Sequence, residues 1–384
     1  MPPEPEKRVT WAELFFDLVF VFAVTQVSAL LHHDHSWAGV GRALIVFVPV
    51  WWAWVGTTIH ANRHDVDTPY DTIGIFTVGL GSLGLALALP GAYADRGLLF
   101  GGSYLFLRLV LAVLVFRDWR GMTLNSFSVG AFVTGPLLLL GGLAHGTPRI
   151  VLWALAATTD LVTPRLLRSR LAVVRFDAAH LPERFGLFLI IALGESLVQV
   201  GAVAAAGPLS VGRLAATVAA YALACSLWWV YFVFAARAVR YAMEVAQIHA
   251  EVIRPVFSYG HLLFICGIIG VAVGLSETVG APGRHLGWGP AGLLVGGCAL
   301  YLATFGYTRY RMFGAISWTR LSGAAGCLLV LPFARLVPGL VVLLALVLVT
   351  VALNGTEAVI VRLRREPAQQ DEPAREGDGV ALSE

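Results

Sequence analysis

Lysine is almost absent: Lys7 is the only one in 384 residues, and every other basic side chain is arginine. Charge of either sign is scarce. Charged residues make up 13% of the chain and hydrophobic residues 58%, which excludes an ordinary water-soluble domain. No nucleic-acid partner is expected of so uncharged a chain. Only four cysteines occur (Cys225, Cys266, Cys298 and Cys327), all within apolar runs and none in C-x-x-C spacing. That leaves no basis for a disulfide framework or a cysteine zinc site. Also missing are a P-loop, an H-E-x-x-H helix, a G-x-S-x-G elbow and a glycine motif leading from a strand into a helix. An ATP-driven pump and a recognisable intramembrane protease are thereby disfavoured. No cofactor is expected, and the chain is read as not an enzyme. The string Gly79-Leu80-Gly81-Ser82-Leu83-Gly84 lies inside an apolar run and reads as a helix-packing face, not a phosphate cradle.

What is present is a succession of apolar runs, each about twenty residues long, enough to cross a bilayer as a helix. They predict helices near 11–31, 37–59, 72–92, 97–116, 126–143, 150–163, 183–206, 211–236, 252–275, 289–307, 313–334 and 338–361. The fold class is therefore all-α: a polytopic membrane protein with about twelve transmembrane helices. The N-terminus lacks a signal-peptide pattern and reads as a retained first helix. With that end cytoplasmic, one side carries sixteen basic residues, among them Lys7, Arg8, Arg63, Arg117, Arg120, Arg175, Arg237, Arg240 and Arg362. The other side carries six, Arg42, Arg96, Arg149, Arg213, Arg284 and Arg335. The positive-inside rule then places both termini in the cytoplasm.

Six helices followed by six suggest two parallel repeats, residues 1–180 and 181–362, with 363–384 a disordered cytoplasmic tail. Glu13-Leu-Phe-Phe-Asp17 opens the first helix and Glu183-Arg184-Phe-Gly the seventh; Trp51-Trp52 in helix 2 echoes Trp228-Trp229 in helix 8. Parallel repeats are related by an axis along the membrane normal, and transporters commonly bind substrate between such halves.

Polar residues inside these runs are the candidate functional residues. Ten uncharged residues separate Arg184 from Glu195 and seventeen separate Glu195 from Arg213, which puts Glu195 near the bilayer midplane. A charge there costs about 2.5–3.5 kcal/mol on insertion scales and normally faces a partner or a water cavity. Glu195, with Ser196 and Gln199, is therefore the leading candidate for a substrate or ion path. Glu13, Asp17 and Gln26 in the first helix and His261 in the ninth are secondary candidates, with the alternative that the two acids favour the helix N-terminus or pair with an arginine. Glu183 with Arg184, and Arg108 with Asp160, are expected to be structural ion pairs. Arg320 needs a partner that the sequence does not identify. Asn62-Arg63-His64-Asp65-Val-Asp67 has spacing that suggests a cation site but reads as a solvated turn. His32-His33-Asp34-His35 has the composition of a transition-metal site, but a short His-rich turn alone does not make one, so no metal is expected.

The segments Glu13-Leu-Phe-Phe-Asp17-Leu-Val-Phe-Val-Phe-Ala23-Val-Thr-Gln26 and His180-x-x-Glu183-Arg184-x-Gly186-Leu-x-x-Ile-Ile-Ala-Leu-Gly194-Glu195-Ser196 resemble two signatures of the bacterial low temperature requirement protein A (LtrA) family. Trp51-Trp52, Tyr104 with Arg108, and Tyr259-x-His261 are similar to further family positions. The chain departs from the family at Thr68-Pro-Tyr70-Asp71, where a more basic stretch is expected. The resemblance implies a polytopic protein of the bacterial inner membrane and supplies no catalytic or binding residues. Phe15-Phe16-Asp17 is also partly similar to the Phe-Ser-Asp motif of potassium channels built from six-helix repeats. The expected function is a secondary transporter or ion-conducting protein handling a small ion or small molecule, with the lipid bilayer as surroundings and a homo-oligomer allowed. The alternatives are a lipid-handling intramembrane enzyme or a membrane scaffold linked to cold growth.

Overall fold

Inside a bilayer a backbone must satisfy its own hydrogen bonds, so apolar runs of this length have little choice but to be helical. The computed structural model describes residues 7–64, 66–116, 124–171, 176–246 and 249–370, and among them it contains twelve long helices and no sheet. They are α1 (Trp11–His33), α2 (Trp37–Arg63), α3 (Pro69–Gly91), α4 (Gly97–Val115), α5 (Ser126–Leu143), α6 (Thr147–Leu166), α7 (His180–Ala205), α8 (Val211–Val245), α9 (His249–Gly280), α10 (Trp288–Phe313), α11 (Trp318–Val330) and α12 (Gly339–Gln370). Ten of them are long and apolar enough to cross a membrane. The exceptions are α6, which carries Arg149, Asp160 and Arg165, and α11, which has only 13 residues.

Helix ends follow local chemistry. Ser36, Thr68 and Ser210 cap α2, α3 and α8 by accepting a hydrogen bond from the third helical N–H. Gly314, at φ +63°, stops α10 in the left-handed conformation that glycine adopts without strain. That stop explains why α11 begins at Trp318 and not near 313. Four helices, α1, α2, α10 and α11, start on an exposed tryptophan (Trp11, Trp37, Trp288 and Trp318), as expected where an amphipathic ring sits at a membrane–water boundary. The last helix runs on through Gln370, into the segment expected to be tail. Residues 371–384 lie outside the described residues, as do Asp65, Arg117, Arg120 and Arg175 from the readings above.

Small residues set the closest packing. An added Cβ on Gly297 would stand 2.6 Å from the Gly267 carbonyl oxygen, so α9 and α10 touch backbone to backbone. The Gly79–Gly84 string also lies against neighbouring helices: Cβ atoms on Gly81 and Gly84 would meet Leu107 and Ser103 of α4 at 2.8 and 2.4 Å. Packing order runs α1 on α3, α3 on α4, α4 on α5, α5 on α6, with α2 on α6. In the second half it runs α7 on α9, α9 on α10, α10 on α11, α11 on α12, with α8 on α12. Contacts of α1 with α7 and α9 join the halves.

Three helices contain a π-helical stretch: residues Gly130–Thr134 in α5, Val230–Ala235 in α8 and Ile253–Gly260 in α9. Pro136 and Pro255, which have no N–H to donate, accompany two of them. Side chains serve carbonyls near the irregular turns. The Trp51 indole donates to the Ser258 carbonyl at 2.8 Å, and Asn354 and Tyr301 donate to those of Ser226 and Leu227 at 3.0 and 3.1 Å. Arg149, counted above as a loop charge, is instead buried in the first turn of α6. It donates to the carbonyls of Ala92, Ala94 and Ala144 at 2.8–2.9 Å, tying the α3–α4 connection to the α5–α6 connection.

Candidate functional site

Two helices that begin at the same end of the bundle, α1 and α7, set acids against bases. Thr10 caps α1 and exchanges hydrogen bonds with Glu13: the Thr10 N–H donates to Glu13 Oε2 at 2.9 Å, and the Glu13 N–H donates to Thr10 Oγ1 at 3.3 Å. Asp17 lies one turn further on the same face. On α7, His180 and Arg184 have the same spacing of four. The two pairs interlock as rungs. His180 Nε2 is 3.2 Å from Glu13 Oε1, Arg184 Nε is 3.7 Å from the same oxygen, and Arg184 Nη2 donates to Asp17 Oδ1 at 2.9 Å. All four side chains are fully buried.

Surrounding residues hold this cluster. Trp54 of α2 donates its indole N–H to Asp17 Oδ1 at 2.8 Å and lies under the Arg184 guanidinium, 5.9 Å from ring centre to charge. Asn62, also on α2, accepts from the Asp177 N–H at 3.0 Å and approaches His180 Nδ1 at 3.3 Å. With the Asn62 amide donating there, His180 carries its proton on Nε2 and presents it to Glu13. Asn62 is thus part of the cluster, which corrects its reading as a solvated turn. The lone Lys7 donates to the carbonyls of Ala61 and His64 at the end of α2, where a cation is favoured by the helix dipole.

The cluster is not fully paired. Asp17 Oδ2, Glu13 Oε1, Arg184 Nε and Arg184 Nη1 are buried without a hydrogen-bond partner. Buried charged atoms left so are costly and rare away from functional sites.

Further along the same seam, Glu195 is half-buried and accepts a hydrogen bond from Thr25 Oγ1 of α1 at 2.8 Å. It stands eleven residues, or about 16 Å, beyond Arg184 along α7. Ser196 is buried and donates to the Leu193 carbonyl at 2.7 Å, while Gln26 and Gln199 are half-buried nearby in sequence. His261 is buried elsewhere, at the level of Phe185, whose ring centre lies 4.8 Å away. It accepts from Tyr231 on Nε2 at 2.8 Å and donates from Nδ1 to the Val256 carbonyl at 3.0 Å. Both Tyr231 and Val256 belong to the π-helical stretches, which frequently mark functional positions. Phe185, ten residues before Glu195, places His261 about 15 Å from Glu195 along α7, so the two do not face one another.

Glu183 does not pair with Arg184. Successive helical residues point about 100° apart, so Arg184 turns inward while Glu183 is exposed beside a 600 Å³ cavity that Lys7, Arg8, Arg237 and Arg240 also line. Arg108 and Asp160 do meet, at 3.3 Å, with Tyr104 donating to Asp160 Oδ2 at 2.6 Å and Thr134 to Oδ1 at 3.0 Å. Arg320 meets Glu357 through two hydrogen bonds, at 2.8 and 3.1 Å. Sequence reasoning did not select His180, Trp54, Thr25 or Tyr231. For His180 the signal was present: its spacing of four from Arg184 matches that of Glu13 and Asp17.

A helical bundle with a lipid-facing apolar surface and buried charges between its halves defines a polytopic all-α membrane protein. The chain belongs to the LtrA family: it matches Bacterial low temperature requirement A protein (LtrA) over residues 8–354. It is also similar to an uncharacterized protein of Rhizobium meliloti (strain 1021), with 29% identity over 313 residues, covering 78% of this chain and 76% of that one. No solved structure matches it.

Proposed function

We propose that this protein is a secondary transporter or ion-conducting protein of the bacterial inner membrane, not an enzyme, with both termini cytoplasmic and a small ion or small molecule as its cargo. The observation that carries this reading is the α1–α7 seam. It holds Glu13, Asp17, His180 and Arg184 at one end and Thr25 with Glu195 further in, and several charged atoms there are unmatched. Intramembrane ionisable groups of this kind mark ion and proton routes. The recurring packing order supports two six-helix repeats, which would place the seam between halves able to rock against each other. In a proton-coupled cycle Glu195 would be protonated in one part of the cycle and ionised in another, with Arg184 as the counter-charge of Asp17 at the other end of the seam.

The test is proton and potassium flux into proteoliposomes carrying wild-type protein, Glu195→Gln or Asp17→Asn. Wild-type flux lost in folded variants is the expected result. Flux that survives unchanged in both variants overturns the role given to the seam. Absence of flux in every sample moves the reading to lipid handling, for which a deletion strain's lipid profile across temperatures is the measurement.

A further inference from the structure

The end of the bundle opposite Glu13 and Arg184 gathers a different set of groups. His32 lies in the last turn of α1, His35 in the connection from α1 to α2, and Glu277 in the last turn of α9. His32 Nδ1 is 3.5 Å and His35 Nε2 3.9 Å from the same oxygen, Glu277 Oε1. All three donor atoms fall within 4.8 Å of one another. Two ligands held about 2.0–2.2 Å from a tetrahedral ion stand about 3.3–3.6 Å apart, so small side-chain rotations bring this set to bonding geometry.

Two further observations distinguish the group from a chance surface cluster. His35 Nε2 is buried and has no hydrogen-bond partner. The backbone that presents it is fixed from both sides. Asp34 accepts from the Ser36 N–H at 3.0 Å and pairs with Arg42, Ser36 caps α2, and a Cβ on Gly289 of α10 would stand only 2.3 Å from the His35 Cβ. His32 and Glu277 remain 46% and 36% exposed, which leaves an entry path from water and an open coordination position.

We propose that His32, His35 and Glu277 form a binding site for a divalent transition-metal ion of the zinc class, closed by water as the fourth ligand. Two imidazoles and one carboxylate are the donor set zinc takes in three-ligand open sites. The ion would tie the α1–α2 connection to α9, joining the first half of the chain to the second at this end. The site stands independently of the transport reading, and it reverses the expectation that the His-rich turn binds no metal. The sequence hid it because Glu277 is 242 positions after His35.

The experiment uses full-length, tag-free protein in detergent, dialysed against zinc and then against cobalt(II) as a spectroscopic reporter. Wild type and His33→Ala, an exposed neighbour in the same turn, are expected to bind one ion per chain with the visible absorption of four-coordinate cobalt. His32→Ala, His35→Ala and Glu277→Gln are expected to weaken binding at least about tenfold, since losing even a supporting partner of a ligand costs about 10–100-fold. His35→Ala disturbs a packed turn, so His32→Ala, on the exposed rim, is the deciding variant. Binding in His32→Ala and Glu277→Gln equal to wild type, or no saturable binding in wild type, overturns the proposal and leaves a histidine–carboxylate surface contact only.

Discussion

Among the described residues Arg184 is the guanidinium that faces two fully buried carboxylates, and removing it is a sharp test of how the seam is held together. In Arg184→Gln, Glu13 keeps His180 and the Thr10 cap, but Asp17 keeps only the Trp54 indole. Breaking a buried pair by deleting one partner costs about 3–5 kcal/mol, because the other charge is left uncompensated. Asp17→Asn is milder. Its side-chain oxygen can still accept from Trp54 and from Arg184, and the arginine keeps Glu13 at 3.7 Å, so the loss is about 1–2 kcal/mol. Combining the two leaves no unpaired charge at that rung. The double variant should therefore be more stable than the sum of the single losses predicts, by about 1–3 kcal/mol. Reversible unfolding in mixed micelles, followed by far-ultraviolet circular dichroism, measures all four forms. Additivity within about 0.5 kcal/mol would refute the coupling. A cheaper Arg184→Gln than Asp17→Asn would refute the claim that Arg184 is the counter-charge Asp17 depends on.

Two further outcomes test the packing described above. Gly297→Leu should separate α9 from α10 and cost at least about 3 kcal/mol in the same unfolding assay, because the added side chain meets the Gly267 backbone, which cannot rotate away; an unaffected midpoint would mean that the two helices do not touch there. Arg320→Gln should cost about 3–5 kcal/mol, and Arg320→Gln with Glu357→Gln distinctly less than the two singles added together, since the pair is bidentate and nearly buried.

The helices were legible because a bilayer allows almost nothing else: twelve apolar runs became twelve helices, with boundaries shifted mainly where α8 continues to Val245, where Gly314 ends α10 and where α12 continues into the expected tail. Charge pairs were legible only when both partners already stood out. Arg108 and Asp160 are isolated charges in apolar helices, and they meet. Glu357 sits near the end of a long apolar helix and gave no hint of Arg320. Adjacency misled at Glu183 and Arg184, because neighbours in a helix face different ways. Glu195 stood out through its distance from other charges, yet the densest ionic site lies at the helix start, where Glu13 and Asp17 could be read as ordinary N-terminal acids. What a single chain does not disclose is which distant helices share a seam.

The lengths of α8 and α9 carry one more implication. α8 has 35 residues and α9 has 32, which at 1.5 Å per residue makes them about 52 and 48 Å long. A hydrocarbon core is about 30 Å thick, and about 40–45 Å with its headgroups. Both helices are therefore longer than a perpendicular crossing requires. Arg237, Arg240 and Glu244 ride on the final stretch of α8, whose Val239, Ala242 and Met243 face inward while the charged residues face out. The end of α8 is thus an amphipathic extension, with its apolar side laid on the bundle and its charged side turned outward.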